Sequence, residues 1–261
     1  MSRWNGIAAG AAVFSDGSTE RFGPTDQRFE LASITKLYTA MAALVAHEEG
    51  TIDLDTDVGD GFNPADVLAH SAGIAPDERS RMAAPRTRRI YSTAAYDLLA
   101  DMIAQRAAMP FAAYANEAVA QPLGMSSITL TGSAGAGAFG SVDDLLALID
   151  AWRRPLLIDQ RTLSRAITPH LGDLDGVLPG FGNRTPNPWG LGPEIRGDKD
   201  PHWTAPANDP RTYGHFGRAG TMLWIDPVAD IALVALSDQP FGPWAATAWP
   251  ILSSAVLNSS R

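Results

Sequence analysis

Apolar residues fall into two patterns along this chain, short near-continuous runs at its two ends and helix-period stretches between them. Residues 7–15 and 18–23 are the first two runs, and the Asp16-Gly17 step between them predicts a hairpin. The last runs cover residues 213–217, 221–225 and 231–236, with the turn sequence Asp226-Pro227-Val228-Ala229-Asp230 between the final two. Their near-continuous apolar content predicts a sheet covered on both faces. A helix over residues 244–257 can cover one of them.

Between the ends, Phe29-Glu30-Leu31-Ala32-Ser33-Ile34-Thr35-Lys36 reads as an extended approach with a serine at a helix start. The helix that follows is apolar on nearly every face, and so buried, with Gly50 as its C′ residue. Asn63-Pro64 is an N-cap and N1 pair for a short helix over 65–69. An arginine-rich loop over 79–89 leads to Tyr91-Ser92-Thr93. Helices over 94–107 and 111–120 follow, the second closed by Gln121-Pro122-Leu123-Gly124. Ser141-Val142-Asp143-Asp144 caps a helix through Trp152, and 160–167 reads as one more. Residues 171–211 are rich in Gly, Pro, Asn and Trp without periodicity. An irregular segment of that length in a compact domain is usually functional or mobile.

The expected fold class is therefore α/β in the α+β sense: one mainly antiparallel sheet joining the terminal hairpins, packed by the terminal helix, with an inserted, mainly helical lobe. The expected organisation is a single domain over 1–261, with a sheet lobe at about 1–32 and 211–261 and a helical lobe at about 33–210.

Composition narrows the function classes. A formal net charge of −9 argues against nucleic acid or an anionic membrane as partner, and it selects no substrate. The absence of cysteine excludes disulfides, thiolate zinc sites and a cysteine nucleophile. The run from Met1 to Phe14 is weakly hydrophobic and glycine-broken, and a hairpin turn follows it. It reads as a strand rather than a signal peptide, which predicts a cytoplasmic protein. No segment is long and apolar enough to span a bilayer.

Candidate chemistry starts at Ser33 and Lys36, which one helical turn stacks on the same face. A lysine facing inward at the positive end of a buried helix is poorly placed as a cation. Desolvation and the dipole both lower its pKa and make it a proton acceptor for a serine nucleophile. The alternative makes Ser33 an N-cap and Lys36 a solvated first-turn residue. Lys36 and Lys199 are the chain's two lysines, so the pair is not drawn from a lysine-rich background. Gly135-Ala136-Gly137-Ala138-Phe139-Gly140 satisfies a dinucleotide-binding spacing. No βαβ alternation surrounds it, however, so it reads as a glycine-rich loop and no cofactor is expected. His47, His70, His170, His202 and His215 show no paired ligand spacing for a metal, and a Gly-x-Ser-x-Gly elbow is absent. Tyr91 and His215 each allow a structural reading, as a packed aromatic and a hydrogen-bonded ring.

Taken in order, Ser33-x-x-Lys36, Tyr91-x-Thr93 and His215-x-Gly217 before an apolar hairpin resemble the serine β-lactamase and penicillin-binding-protein family. The likeness is strongest to the branch of class C β-lactamases, D-alanyl-D-alanine carboxypeptidases and related esterases. Residues 49–55, 68–74, 121–125 and 223–227 fit as well. The resemblance implies a β-lactamase/transpeptidase-like fold with Ser33 as acylated nucleophile, Lys36 as its proton partner and Tyr91 as the group that protonates the leaving group. Backbone N–H groups of Ser33 and Arg218 would form the oxyanion hole. His215, Phe216, Gly217 and Arg218, with Thr93, would contact the substrate. The partner expected is a small-molecule ester, amide or β-lactam.

Three positions depart from the pattern. Thr93 stands where the family mostly has Asn, Phe216 replaces a small hydroxyl residue, and His215 stands in for a lysine that grips a substrate carboxylate. The chain also shows no evident helix ahead of its first strand. Phe216 is expected to narrow its edge of the site, and together the departures favour an esterase- or peptidase-like serine hydrolase, an esterase or amidase on smaller acyl substrates, over an efficient β-lactamase. The alternatives are a true β-lactamase or penicillin-binding protein, and a catalytically silent ligand-binding relative.

Overall fold

The terminal hairpins join edge to edge, as their apolar runs require. In the computed structural model, which describes residues 6–259, the chain opens with β1 (Ala8–Val13), β2 (Thr19–Phe22) and the short β3 (Phe29–Glu30). A 3₁₀ turn (Ala32–Ile34) enters α1 (Thr35–Glu48). Then come α2 (Pro64–Leu68), α3 (Thr93–Ala107) and α4 (Phe111–Ala115), the last running through a π turn (Asn116–Ala120) into α5 (Gln121–Leu123). β4 (Thr129–Leu130) and β5 (Ala138–Gly140) precede α6 (Val142–Arg153) and α7 (Gln160–Ala166). β6 (Gly176–Leu178), β7 (Gly182–Arg184), β8 (Glu194–Ile195), β9 (Tyr213–Gly217), β10 (Thr221–Asp226), β11 (Ile231–Ser237) and α8 (Pro243–Ser259) complete the order.

The main sheet runs β2-β1-β11-β10-β9-β8 and every pairing in it is antiparallel. Ala8 lies opposite Ser237 and Val13 opposite Ala232, so the first and last strands share six rungs. The two-residue alternation of a strand sorts the apolar side chains of β10 and β11 onto opposite faces. Leu223, Ile225, Ala232, Val234 and Leu236 join the larger core with α1, α3 and α6. Met222, Trp224, Ile231, Leu233 and Ala235 join a second core with Trp249 and Val256 of α8. Trp224 carries a polar handle into that second core and donates to Ser253 Oγ at 3.0 Å. Each fully buried large apolar side chain contributes roughly 1.5–3 kcal/mol, so the two-sided sheet is the main stabilising layer.

The caps expected at Asn63 and Ser141 form, and two more appear. Asn63 and Ser141 each close a capping box, with Asp66 and Asp144 respectively, and Ser92 and Asp159 cap α3 and α7. Several boundaries differ from expectation. The helix expected over 111–120 continues through a π turn to Leu123 and ends at Gly124, whose φ of +68° supplies the left-handed cap. The long 171–211 segment is not wholly irregular, since it contributes the β6–β7 hairpin and the edge strand β8. The Gly135–Gly140 stretch forms a turn and β5, which pairs antiparallel with β3 and β4 instead of entering a parallel nucleotide-binding unit. The N-terminal strand begins at Ala8, and residues 1–5 of the run read from Met1 lie outside the described residues. Among the described residues, no helix is long and apolar enough to cross a membrane, and no cluster of His, Cys, Asp or Glu could hold a metal ion.

Candidate active site

Ser33 lies two residues before α1, in the 3₁₀ turn, and does not cap the helix: Ile34 occupies the N-cap position with no side-chain bond. The N-cap reading of Ser33 is therefore replaced by a side chain free for other work. Ala32 ahead of it has φ of +46°, a left-handed conformation that costs an alanine of order 1 kcal/mol and needs surrounding support. That support is visible on both sides. Leu31 N–H donates to Ala138 O at 2.9 Å, and Leu31 O accepts from Thr221 Oγ1 at 3.0 Å. A Cβ added to Gly217 would lie 2.6 Å from Leu31 O, so only glycine lets the end of β9 close on the turn.

Lys36, the second residue of α1, is completely buried. Its Nζ donates to Gly135 O at 2.7 Å and Thr93 Oγ1 at 3.2 Å, and it lies 4.6 Å from the centroid of the Tyr91 ring. Desolvation lowers its pKa to about 7, helped by Arg218 and opposed by Asp97 and Asp77. Asp97, on α3, also accepts from Ser133 Oγ at 2.7 Å and Ala134 N–H at 2.8 Å, which fixes the loop that presents Gly135 O to the lysine. Tyr91 precedes the Ser92 cap. Burial pushes its phenol well above the usual range, while a hydrogen bond from Ser33 pulls the other way. Thr93 is the first residue of α3, so the cap places its hydroxyl beside Lys36.

A cavity of about 400 Å³ opens over this group. Ser33, Tyr91, Thr93, His215, Phe216 and Arg218 line it, with Lys36 buried beneath and Gly217 at the seam with Leu31. The sequence-predicted residues thus converge from α1, the start of α3 and β9. His215 Nδ1 lies 2.7 Å from Phe216 O and must donate to it, leaving Nε2 with a lone pair and no hydrogen-bond partner. Burial, and then the nearby Lys36 charge, lower its pKa to about 3, so the ring is neutral across the physiological range. Its position therefore supplies no cation where the family's lysine would.

Other wall residues had no sequence signal. Trp189 packs against Tyr91, His70 and His215, with ring centroids 5.8, 4.7 and 5.5 Å apart. Glu194 lines the cavity from the edge strand β8. It pairs with Lys199 at 2.5 Å and with His202 at 3.0 Å, and it accepts from the Trp203 indole. These partners hold its carboxyl far below the usual carboxylate range despite burial. Gly135 contributes only a carbonyl, and no residue type signals that role.

Comparison with known proteins follows the same lines. The β-lactamase family model matches residues 6–256. A β-lactamase from Mycobacterium bovis is 42% identical with a TM-score of 0.97, over 99% of this chain and 97% of that one. Simvastatin synthase from Aspergillus terreus shares the fold at a TM-score of 0.83 and 16% identity, over 100% of this chain and 95% of that one. A penicillin-binding protein from Bacillus halodurans shares it at 0.75 and 16%, over 95% of each chain. None of the curated proteins matches the chain. From its first strand into its last helix, over residues 6–256, the chain belongs to the β-lactamase family of serine hydrolases.

Proposed function

We propose that this protein is a serine hydrolase that cleaves an ester or amide through an acyl-enzyme on Ser33. The observation that carries the reading is the convergence of a completely buried Lys36, its pKa brought to about 7, with Tyr91 and the half-buried Ser33 at one cavity. A neutral Lys36 has two N–H bonds, and Gly135 O and Thr93 Oγ1 take both, leaving its lone pair to receive a proton. Tyr91, with its phenol pushed up, stays protonated and serves as the relay.

In acylation Ser33 Oγ loses its proton through Tyr91 to Lys36 and bonds to the carbonyl carbon. The bond to the leaving alcohol or amine then breaks, and Tyr91 returns the proton to that group. In deacylation water gives a proton to the same pair and its oxygen bonds to the acyl carbon, and Ser33 leaves reprotonated. The carbonyl oxygen collects negative charge in both steps. Backbone N–H groups of Ser33 and Arg218 are the donors assigned to it, and the close approach of Gly217 to Leu31 supports that pairing.

Esters rank ahead of β-lactams because Thr93 cannot present the donor–acceptor pair of an asparagine and His215 carries no charge for a substrate carboxylate. A fluorophosphonate probe should label the wild type by intact mass and leave Ser33→Ala unlabelled. Equal labelling of both proteins defeats the proposal. Relative turnover of nitrocefin and p-nitrophenyl acetate then decides between lactamase and esterase.

A further inference from the structure

We infer that the cavity beside Ser33 selects uncharged esters carrying a bulky apolar acyl group, with Phe216 and Phe241, packed against Phe181, as the seat for that group. The inference rests on the hydrolase reading above and adds the substrate class. The cavity has two unlike walls. Ser33, Tyr91, Thr93 and Ser133 give one wall its hydroxyls, whereas Leu178, Pro179, Phe216 and Phe241 make the other wall hydrocarbon. The ring of Phe216 lies 5.0 Å from that of Phe241 and meets Phe181 edge-on at 5.9 Å. Trp203 and Trp249 back Phe216 at 5.7 and 5.8 Å, so the wall is anchored in the second core and cannot fold away from an occupant.

Gly180 shows that this wall is built closely. Its φ is +78° and an added Cβ would lie 2.7 Å from Phe241 Cε1, so only glycine lets the β6–β7 hairpin close over that ring. The lining offers no free buried cation: its charged members are Asp77 and Arg218, both exposed, and Glu194, which is already paired. Glu194 is the one acid facing this region from β8, and Lys199, His202 and Trp203 occupy its carboxylate. His215 directs its only N–H of the neutral ring to Phe216 O. Arg218 is exposed at the mouth, where a solvated guanidinium holds a carboxylate weakly. An acyl chain on the phenylalanine side exchanges water for hydrocarbon, whereas a charged one loses hydration without a buried partner.

The test uses p-nitrophenyl acetate, butanoate, hexanoate, benzoate and hemisuccinate, with each kcat/KM divided by the ester's own hydroxide rate. Each buried methylene is worth about four-fold, so butanoate, two methylenes longer, should exceed acetate by about fifteen-fold, and hexanoate or benzoate should equal or exceed butanoate. The hemisuccinate, nearly the shape of the butanoate but charged, should fall at least about ten-fold below it. Phe241→Ala should flatten the acetate-to-hexanoate series. Phe241→Leu, which keeps an apolar filler for the second core, should flatten it in part. A series that is flat or falls with chain length in the wild type, or a hemisuccinate as good as the butanoate, overturns the inference while fluorophosphonate labelling of Ser33 upholds the hydrolase reading. No hydrolysis of any ester together with no labelling overturns both.

Discussion

In the proposed mechanism Lys36 is the residue on which the chemistry turns, because burial has moved its titration into the neutral range. With its pKa lowered from 10.5 to about 7, the amine that can take a proton is the minor form in acid and the major form in mild base. The rate of Ser33 acylation should therefore rise with pH through about 7 and level off above it. Thr93 tunes that midpoint. Its hydroxyl accepts from Lys36 at 3.2 Å, and an ammonium gains more from such a bond than an amine does. Thr93→Val removes the acceptor and disfavours the charged form, so the midpoint should move to lower pH. Stopped-flow burst rates with an activated ester from pH 5 to 9 measure both, and an unchanged or raised midpoint in the variant contradicts this account. The same shift affects folding. The unfolded lysine titrates near 10.5 and binds more protons than the folded one between about pH 7 and 10.5. Lys36 thus makes stability rise with pH across that window.

At the scale of elements, the site is a seam where β9 meets the turn before α1. Thr221 on β10 holds Leu31 O, and Gly217 at the end of β9 lies flush against Leu31 and Ala32. Gly217→Ala would set its Cβ 2.5 Å from Thr221 Oγ1 and 2.6 Å from Leu31 O, forcing strand and turn apart. A displacement of about 1 Å at reacting groups costs on the order of 100-fold in rate. The expected result is a kcat/KM reduced by about that factor with a cooperative melt retained, measured by ester hydrolysis and circular dichroism together. Activity within about two-fold of the wild type would show that the seam tolerates a wider gap. The segment before β9 acts on the opposite wall, where Glu194 gathers Lys199, His202 and Trp203 and so ties an otherwise loop-like stretch to the sheet edge.

For the whole molecule, the decisive link is between the chain's two ends. β1 is an interior strand, paired with β2 on one side and β11 on the other, so the helices between them hang from a sheet closed by residues more than 200 positions apart. Ala11, opposite Val234 and Arg21, is the midpoint of that closure. Ala11→Pro removes a ladder donor and forces φ in an interior strand, where proline is essentially not found. It should lower the denaturant midpoint sharply and reduce labelling of Ser33, although no part of Ala11 lines the cavity. A wild-type midpoint in urea would contradict the central role of the strand.

Much of this architecture is local in origin and so legible in the residues alone. Hairpin turns, the caps at Asn63 and Ser141, the all-round apolar α1 and the two-faced terminal strands each depend on neighbours a few positions away, and patterning encodes such neighbours directly. The order of Ser33-x-x-Lys36, Tyr91-x-Thr93 and His215-x-Gly217 is legible for the same reason, since each triplet is short. What the residues do not carry is the shape of the space between distant segments. The carbonyl of Gly135 that holds Lys36, the Glu194–Lys199 pair behind the cavity and the Phe241 ring over Gly180 are made by groups far apart in the chain. The 3₁₀ turn that frees Ser33 from capping is likewise imposed by β5, β9 and β10 closing around it, not by its own propensity. Local chemistry thus determined which groups are available, and tertiary packing decided their protonation, their spacing and the apolar character of the pocket they face, because desolvation and close approach exist only once the chain has folded.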